Sequence, residues 1–172
     1  MADIKLETFK AQFKDGVRGN RFWVTITGPQ GGGGWSESPF GFLVKAFALP
    51  SRTIGEITVN FMGLQAKFAG DVTMDDMTMV LHNDNEFKIK TYFETWLRGI
   101  VNTQLNTRSL ASTYKANINV DQLGKTGEVL ASYQIIGAFP KQMDPVDLNQ
   151  DNTDQFEELN ITFACEDWIR LI

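Results

Sequence analysis

The sequence predicts a mainly β protein of the α+β class, built as an antiparallel β-sandwich or open barrel of about eight strands with one main α-helix. Two observations support this prediction. Most segments alternate apolar and polar residues with a period of two, which is typical of strands, and turn-forming residues separate them. A single segment, residues 89–100, repeats its apolar residues with the period of a helix instead.

The composition indicates one domain that is rich in aromatic residues. A chain of 172 residues is long enough to bury a core, so we expect a single domain over residues 1–172. Thirteen Phe and four Trp require large apolar faces, buried within the subunit or between subunits. The net charge of −5 argues against a nucleic-acid binder, which would carry a basic surface.

The chain offers little material for a catalytic or metal site. Cys165 is the only cysteine and His82 the only histidine, which argues against a zinc site and excludes an internal disulfide. We expect no enzyme activity and no cofactor. No apolar run approaches the ~20 residues of a membrane span, and the first residues have no apolar signal core. These features predict a cytosolic protein with no membrane partner.

Residues 1–19 are predicted to form an N-terminal arm. Leu6, Phe9 and Phe13 recur at helical spacing and indicate a short amphipathic helix within it. Two interpretations are open at this point. The arm packs its two Phe on the edge of its own domain, or it reaches a neighbouring subunit.

Two predicted strands, residues 21–27 and 40–49, flank a Gly-rich loop, residues 28–39. The loop lacks the Lys and the Ser or Thr of a phosphate-binding loop, and no helix follows it. We therefore expect an exposed loop in which Trp35 can contact a partner.

The next segment predicts a β-hairpin. Two alternating runs, residues 57–61 and 64–68, flank Met62-Gly63, which suits a short connection. The second arm is expected to run through Gly70 into a central strand over residues 72–82. Asp75 and Asp76 are adjacent, so in a strand they point to opposite faces and make a poor acid–base pair.

The main helix is predicted to follow this strand directly. Asn83 and Glu86 have the spacing of a capping box at its start. Arg98 and Gly99 suit its end, because a cation is favourable there and glycine accepts left-handed geometry. The predicted buried stripe consists of Ile89, Phe93, Trp96, Leu97 and Ile100.

The C-terminal part is predicted to be mostly strand. Residues 101–112 show no clear period and are expected to be irregular. Strands are predicted over residues 114–120 and 129–135, joined by a turn at 124–127 and ended by Phe139-Pro140. An acidic loop, residues 141–155, precedes the last strand, residues 159–165.

The acidic loop carries one motif with metal-binding spacing. Asp147, Asn149, Asp151, Asn152 and Glu158 follow the spacing of a calcium loop, with Asn152 in the position of its glycine. No helix flanks the motif, and Glu158 falls in a predicted strand. We interpret the segment as a solvated loop and expect no metal there.

Several segments, in order, resemble the tail tube proteins of contractile-tailed bacteriophages. They are NRFWVTI (residues 20–26), KAFALP (45–50), VNFMG (59–63), AGDVTMDDMTMVLHND (69–84), GAFP (137–140) and FEELNITFACEDWI (156–169). Their order and spacing carry the resemblance, which extends from about residue 20 onward. Met74 and Met77 replace two aromatic residues of the family pattern, and the run of glycines at 31–34 is a local departure from it.

The resemblance implies two packed antiparallel sheets with a helix, and six subunits that close a ring whose sheets form a continuous barrel around a lumen. It implies that hexameric rings stack into the inner tail tube, through which the tape-measure protein and then the DNA pass without specific binding. The implied partners are further copies of the chain, the tail sheath protein, the baseplate with its tube initiator, and the tail terminator. The implied location is the virion tail, assembled in the host cytoplasm.

Other functions are open from the sequence. A phage-tail-like bacteriocin, a contractile injection system or a type VI secretion system uses a related tube, and the tube initiator of the baseplate is a variant of that function. A small β-sandwich binding module or an esterase-like enzyme belongs to another class. Either would need a pocket with convergent polar groups.

The implied assembly suggests candidate contact residues. The hairpin over residues 54–68 and the loop 28–39 are candidates for ring-to-ring contact. Polar residues of the hairpin alternate with positions expected to be core, so some of them would face the lumen or the next ring, as would Lys45. The candidates for contact between rings or subunits are Trp35, Ile57, Asn60, Phe61, Met62, Gln65, Lys67, Asp71 and Asp75.

Overall fold

The computed structural model describes residues 6–13, 16–28, 39–146, 148–151, 153 and 155–172. Within them, α-helices lie at Leu6–Phe13 (α1), Lys88–Ile100 (α2) and Ala111–Tyr114 (α3), and a 3-10 helix at Pro39–Leu43. The strands are Phe22–Thr27 (β1), Val44–Phe47 (β2), Arg52–Phe61 (β3), Leu64–Met74 (β4), Met77–His82 (β5), Val101–Asn102 (β6), Thr107–Arg108 (β7), Ala116–Leu123 (β8), Val129–Met143 (β9), Glu158–Ala164 (β10) and Asp167–Arg170 (β11). No helix in the described part of the chain is long and apolar enough to span a membrane.

Seven strands form one antiparallel sheet in the order β1-β8-β9-β10-β5-β2, with β11 also paired to β9. The long strand β9 joins the two halves of this sheet. Its earlier part pairs with β8 and β11, and its end, from Phe139 onward, pairs with β10. The sheet does not close into a barrel, because its end strands β1 and β2 do not pair with each other. The predicted mainly β class with an open antiparallel architecture is confirmed.

The core lies between this sheet and α2. Alternation on β5 buries Met77, Met79 and Leu81 completely. Helix α2 presents its aromatic side chains to the sheet, and the ring of Phe163 on β10 packs edge-on against Phe93, with centroids 5.9 Å apart. The buried residues of α2 are Ile89, Tyr92, Phe93 and Trp96, whereas Leu97 is half-buried.

The predicted central strand over residues 72–82 is wrong, because the chain turns within it. Strand β4 ends at Met74 and β5 begins at Met77. The Asp75 N–H donates to the Ser51 carbonyl at 3.1 Å, and Lys141 Nζ donates to the Asp76 carboxylate at 2.6 Å. Both aspartates therefore lie at the corner where the chain leaves one sheet and enters another.

The predicted capping box is also wrong, since neither Asn83 nor Glu86 caps α2. Asn83 extends the pairing of β5 with β10: its N–H donates to the Glu157 carbonyl at 2.9 Å, and its amide donates to the Glu157 carboxylate at 2.8 Å. The Asp84 carboxylate accepts from the N–H of Ile89 at 3.2 Å instead. The pairing of β5 with β10 directs the Asn83 side chain toward Glu157, and Asp84 therefore bonds the first turn of α2 in its place.

The segment after α2 is structured, contrary to the prediction. Gly99 lies inside the helix, which ends at Ile100 and continues directly into β6. Strands β6 and β7 pair as a short hairpin, and α3 follows. Strands of two residues are too short to show a period in the sequence.

Further predicted strand boundaries are wrong. Residues 39–43 form a 3-10 helix rather than strand, and Gly41 lies so close to Trp23 that a Cβ atom there would come within 2.9 Å of the indole ring. Strand β9 continues through Pro140 to Met143, because Pro140 lies next to an irregular step of the β9–β10 pairing. The acidic loop therefore starts after β9. The last predicted strand is followed by a separate strand, β11.

The buried indole of α2 yields a stability prediction. Trp96→Ala is expected to lower the free energy of unfolding by ~3–5 kcal/mol, because it leaves a cavity in the core. Trp96→Phe should cost less, since it keeps an aromatic ring and chiefly loses the bond from the indole N–H to the Tyr114 carbonyl, 2.8 Å long. Urea unfolding measures both, with the exposed Thr95→Ala on the same helix as the control. Equal stability of the Trp96→Ala and Thr95→Ala proteins would contradict the burial.

Tyr92 yields a pH prediction. Burial raises the pKa of Tyr92 above its usual value. The folded protein therefore keeps the phenol proton to higher pH than the unfolded chain, which releases it near pH ~10. The contribution of Tyr92 to the free energy of unfolding is constant below pH ~10. Above that pH, the free energy of unfolding should fall as the pH rises. Urea unfolding between pH 8 and 11 should show a flatter fall for Tyr92→Phe; an identical fall would contradict the assignment.

Candidate assembly surface

Strands β3 and β4 form a long hairpin that pairs with no other strand among the described residues. Met62 and Gly63 form its turn, with φ of 47° and 83°. Two positive φ values are characteristic of a type I′ turn, whose twist matches that of the flanking strands. The hairpin predicted around these residues is confirmed, and it is longer than predicted.

Cross-strand pairing sorts the outer part of the hairpin into two faces, since paired residues lie on the same side. The apolar face consists of the pairs Ile57–Phe68, Val59–Ala66 and Phe61–Leu64. The polar face consists of the pairs Glu56–Ala69, Thr58–Lys67 and Asn60–Gln65. A bulge between Ile54 and Glu56 separates this outer part from the base of the hairpin.

The apolar face is not part of the subunit's core. Phe61 is 66% exposed, Leu64 74% and Phe68 57%, and all residues of both strands except Gly70 and Met74 are exposed. The expectation that polar residues of the hairpin alternate with core positions is therefore wrong. The alternation shows that one side is apolar, but no element within the described residues covers that side.

The polar face carries ordinary solvated contacts. Lys67 Nζ lies 3.0 Å from a Glu56 carboxylate oxygen, and the Thr58 hydroxyl donates to the same carboxylate at 3.2 Å. Exposed ion pairs of this kind contribute little to stability. The polar face is therefore suited to contact with water, and the apolar face is suited to contact with protein.

The base of the hairpin is held against the rest of the subunit by Arg52. Its guanidinium forms an ion pair with Asp167 on β11, donates to the Trp168 carbonyl at 2.9 Å, and lies 5.3 Å from the centre of the Trp168 ring. We call this set the Arg52 contact. A charge pair, a backbone hydrogen bond and a cation–π contact together restrict the direction in which the hairpin projects.

The structure places the sequence-predicted contact residues on different parts of this hairpin. Ile57 and Phe61 lie on the apolar face, and Met62 lies at the tip, 89% exposed. The remaining candidates are distributed as follows: Asn60, Gln65 and Lys67 on the polar face, Asp71 beside the bulge, Asp75 at the base, and Trp35 outside the described residues.

The list of candidate contact residues lacked four members of the apolar face, Val59, Leu64, Ala66 and Phe68, and sequence reasoning missed the Arg52 contact. The apolar members had a usable signal, because residues opposite each other across a two-residue turn share a face. The Arg52 contact had none, since Arg52 and Asp167 are distant in sequence.

A groove of about 650 Å³ runs beside the end strand β2. Its wall is aromatic, with Phe22 and Trp23 from β1, Phe47 from β2 and Tyr133 from β9. Phe42 stands at its rim, 74% exposed, with its ring edge-on to Trp23 at 4.2 Å between centroids. Lys45 also lines it and donates to Glu158, an interaction that lowers the pKa of that carboxyl.

Helix α1 is a second exposed apolar element. The rings of Phe9 and Phe13 stack on each other with centroids 5.2 Å apart, and both are exposed together with Leu6. Phe13 also lines a cavity together with Leu123 and Leu130 of its own subunit. Both interpretations of the arm, packing on the domain edge and reaching a neighbouring subunit, stay predictions.

The other sequence motifs do not come together as a site. No group of three or more His, Cys, Asp or Glu side chains within the described residues is placed to hold a metal ion. In the calcium-like motif, Glu158 pairs with Lys45, and Asp147 and Asn152 lie outside the described residues. Burial raises the pKa of the Cys165 thiol.

Known proteins are similar to this chain in sequence or in fold. Tail tube protein gp19 of Enterobacteria phage T4 is 30% identical over 157 residues, covering 90% of this chain and 91% of that protein. A chain in the sheath/tube terminator of an extracellular contractile injection system, PVC, is similar in fold, with a TM-score of 0.69, 18% identity, and coverage of 91% of this chain and 96% of that one. A chain in the six-fold symmetrised baseplate of the anti-feeding prophage gives a TM-score of 0.67, 15% identity, and coverage of 90% and 95%.

The family model of the phage tail tube protein matches residues 17–171. This range contains the strands β1 to β11 and the exposed hairpin, and it leaves out only α1 among the helices and strands of the described residues. The chain belongs to the phage tail tube protein family.

Proposed function

We propose that this protein is the structural subunit of an inner tail tube, and that six copies close a ring that stacks on further rings. The single observation that carries this proposal is the exposed apolar face of the hairpin in a member of the tail tube family. The six-fold symmetry of the baseplate that contains a similar chain supports the ring size.

The apolar face calls for a partner on physical grounds. Five of its side chains are large and about half exposed or more, which gives several hundred Å² of apolar surface. Patches of this size on soluble proteins usually mark contacts with other proteins. In a tube made of one kind of subunit, the available partner is another copy, within the ring or in the next ring.

The proposal extends to the rest of the tail. The tube is wrapped by the sheath, begins at the baseplate with its tube initiator and ends at a terminator; the similar chains in a sheath/tube terminator and in a baseplate support these partners. The lumen carries the tape-measure protein and then the DNA, and the net charge of −5 favours passage without binding, since carboxylates repel phosphate. The protein works in the virion tail, is assembled in the host cytoplasm, and has no catalytic role.

A tube of a contractile injection system is the second candidate. The similarity in fold to chains of the PVC and anti-feeding prophage particles favours it. The higher sequence identity to the T4 tail tube protein favours the phage tail. In both cases the subunit forms the same kind of stacked ring, so one experiment tests the shared core of the proposal.

Electron microscopy of the purified protein at high concentration should show stacked rings with a central hole. Phe61→Asp is expected to abolish them, because it places a charge within the apolar face. Thr58→Asp, on the polar face of the same strand, is the matched control and should still assemble. Both side chains are exposed, so both variants should melt like the parent. A parent protein that remains a discrete monomer and fails to assemble on sheath or baseplate would refute the proposal.

The Arg52 contact predicts a hairpin that is already held in position before assembly. Spin labels at Met62→Cys on the tip and Thr95→Cys on α2, in a Cys165→Ser background, should give a narrow distance distribution in the monomer. Arg52→Ala should broaden this distance distribution and slow ring formation, because the conformational entropy lost when the hairpin becomes ordered would then oppose association. Lys67→Ala removes an ion pair internal to the hairpin and should leave the distribution narrow. Equal widths for the two variants would show that the Arg52 contact does not position the hairpin.

A further inference from the structure

A locally positive surface lies at the C-terminal end of α2. Residues 95–120 contain no Asp or Glu, although the net charge of the whole chain is −5. The Arg98 side chain is 82% exposed and lies 3.9 Å from Glu94, at the outer limit of an ion pair. Arg108 is exposed on β7 and has no ion-pair partner among the described residues. Both cations are therefore available to a partner.

The same surface carries exposed apolar side chains. All residues of the segment 101–110 are exposed, and Leu105 and Leu110 are 71% and 76% exposed. The helix dipole favours a cation at the end of α2, which accounts for Arg98 but not for two exposed leucines. We call Arg98, Arg108, Leu105 and Leu110 the basic patch. Its composition suits an acidic segment that also carries apolar side chains.

Hydrogen bonds hold the basic patch in shape. The Ser109 N–H donates to the Ile100 carbonyl at 3.1 Å, which ties the end of β7 to the end of α2. The side-chain oxygen of Asn102 accepts from the N–H of Leu105 at 3.1 Å, which fixes the turn between β6 and β7. A surface that is ordered before it binds loses less conformational entropy on association.

The acidic loop between β9 and β10 has the complementary composition. Residues 144–157 contain five acidic residues and no Lys or Arg. In the described part of this loop, Leu148 and Phe156 are 87% and 86% exposed, and Asp151 is exposed as well. The acidic loop thus combines negative charge with uncovered apolar side chains, as the basic patch combines them with positive charge.

The two surfaces lie at opposite ends of α2. Glu157 bonds Asn83, which stands five residues before the helix begins, whereas the basic patch follows the end of the helix. The 13 residues of α2 separate the two ends by roughly 20 Å. The basic patch therefore lies too far from the acidic loop of its own subunit, and a contact between them requires two copies.

We propose that the basic patch of one copy docks on the acidic loop of a second copy. This inference rests on the proposed function and adds a contact between copies that is separate from the β3–β4 hairpin. Opposite charges orient the two copies, and the leucines of the patch pack on Leu148 and Phe156. Because the contact joins two different surfaces, it repeats head to tail from copy to copy.

Nucleic acid fits the basic patch less well. Binding to a phosphate backbone depends on the number of cations that contact it, and the patch offers two arginines beside two exposed leucines. An acidic protein segment uses both features of the patch. The acidic loop of a second copy supplies such a segment within the same chain.

Cross-linking between two variants tests the contact directly. In a Cys165→Ser background, a protein with Leu105→Cys is mixed before assembly with a protein carrying Leu148→Cys. A short-spacer bis-maleimide should link the two proteins in the assembled fraction. Thr91→Cys, exposed in the middle of α2, replaces Leu105→Cys as the control and should give about tenfold less product with Leu148→Cys.

A charge swap provides a second test without cysteine variants. Arg108→Glu should raise the concentration needed for tubes about tenfold, because it places like charges opposite each other. Adding Asp151→Lys to the same chain should restore assembly, since the swapped charges attract again. Arg170→Glu, at an exposed cation on β11, is the control and should assemble like the parent. All three substitutions are at exposed residues, so melting should stay unchanged.

Imaging of the same samples separates the possible outcomes. Rings without Leu105–Leu148 product above the Thr91 control would overturn the contact and leave the proposed function intact. An Arg108→Glu defect that Asp151→Lys does not rescue would also overturn it. Normal Arg108→Glu tubes that fail to take up sheath protein would assign the basic patch to the sheath instead. An absence of rings from the parent protein would refute the proposed function and the contact with it.

Discussion

An amphipathic hairpin whose apolar face is left exposed by the described part of its own chain is the constraint on which this structure depends. Burial of apolar surface is favourable by about 25 cal/mol per Å², and the large side chains of the hairpin's apolar face remain about half exposed or more within the subunit. The core between α2 and the sheet is complete without the hairpin. The subunit therefore folds around one apolar region and keeps a second one available for association.

The two regions are separated by a corner of polar contacts. The chain turns at Asp75 and Asp76, between β4 and β5. The hydrogen bonds of these residues to Ser51 and Lys141 hold the turn in place. Across the hairpin base, Arg52 holds β3 to β11. Each of these contacts is exposed and individually weak. Together they restrict the direction in which the hairpin projects. A hairpin fixed at its base loses less conformational entropy when it binds.

The open sheet and the projecting hairpin are related features. A sheet that does not close leaves an end strand such as β2 as a risk for unspecific pairing. A hairpin whose two arms pair, among the described residues, only with each other carries the same risk at its two outer edges. In a ring built from copies of one subunit, both would be satisfied by contacts between copies, repeated around the ring and closed by symmetry. Family membership and the physical features of the monomer thus lead to the same kind of assembly.

The sequence by itself determined the fold class, the tip of the hairpin and the main helix, since each depends on a local period or on turn chemistry. The tertiary structure decided the rest. Strand pairing directs Asn83 away from the helix cap, residues 39–43 form a 3-10 helix whose Gly41 lies close to Trp23, and β9 passes through Pro140 beside an irregular step of its pairing. Periodicity also marked one side of the hairpin as apolar, but only the tertiary arrangement of the described residues showed that this side is exposed, because alternation records which residues are apolar and not what covers them.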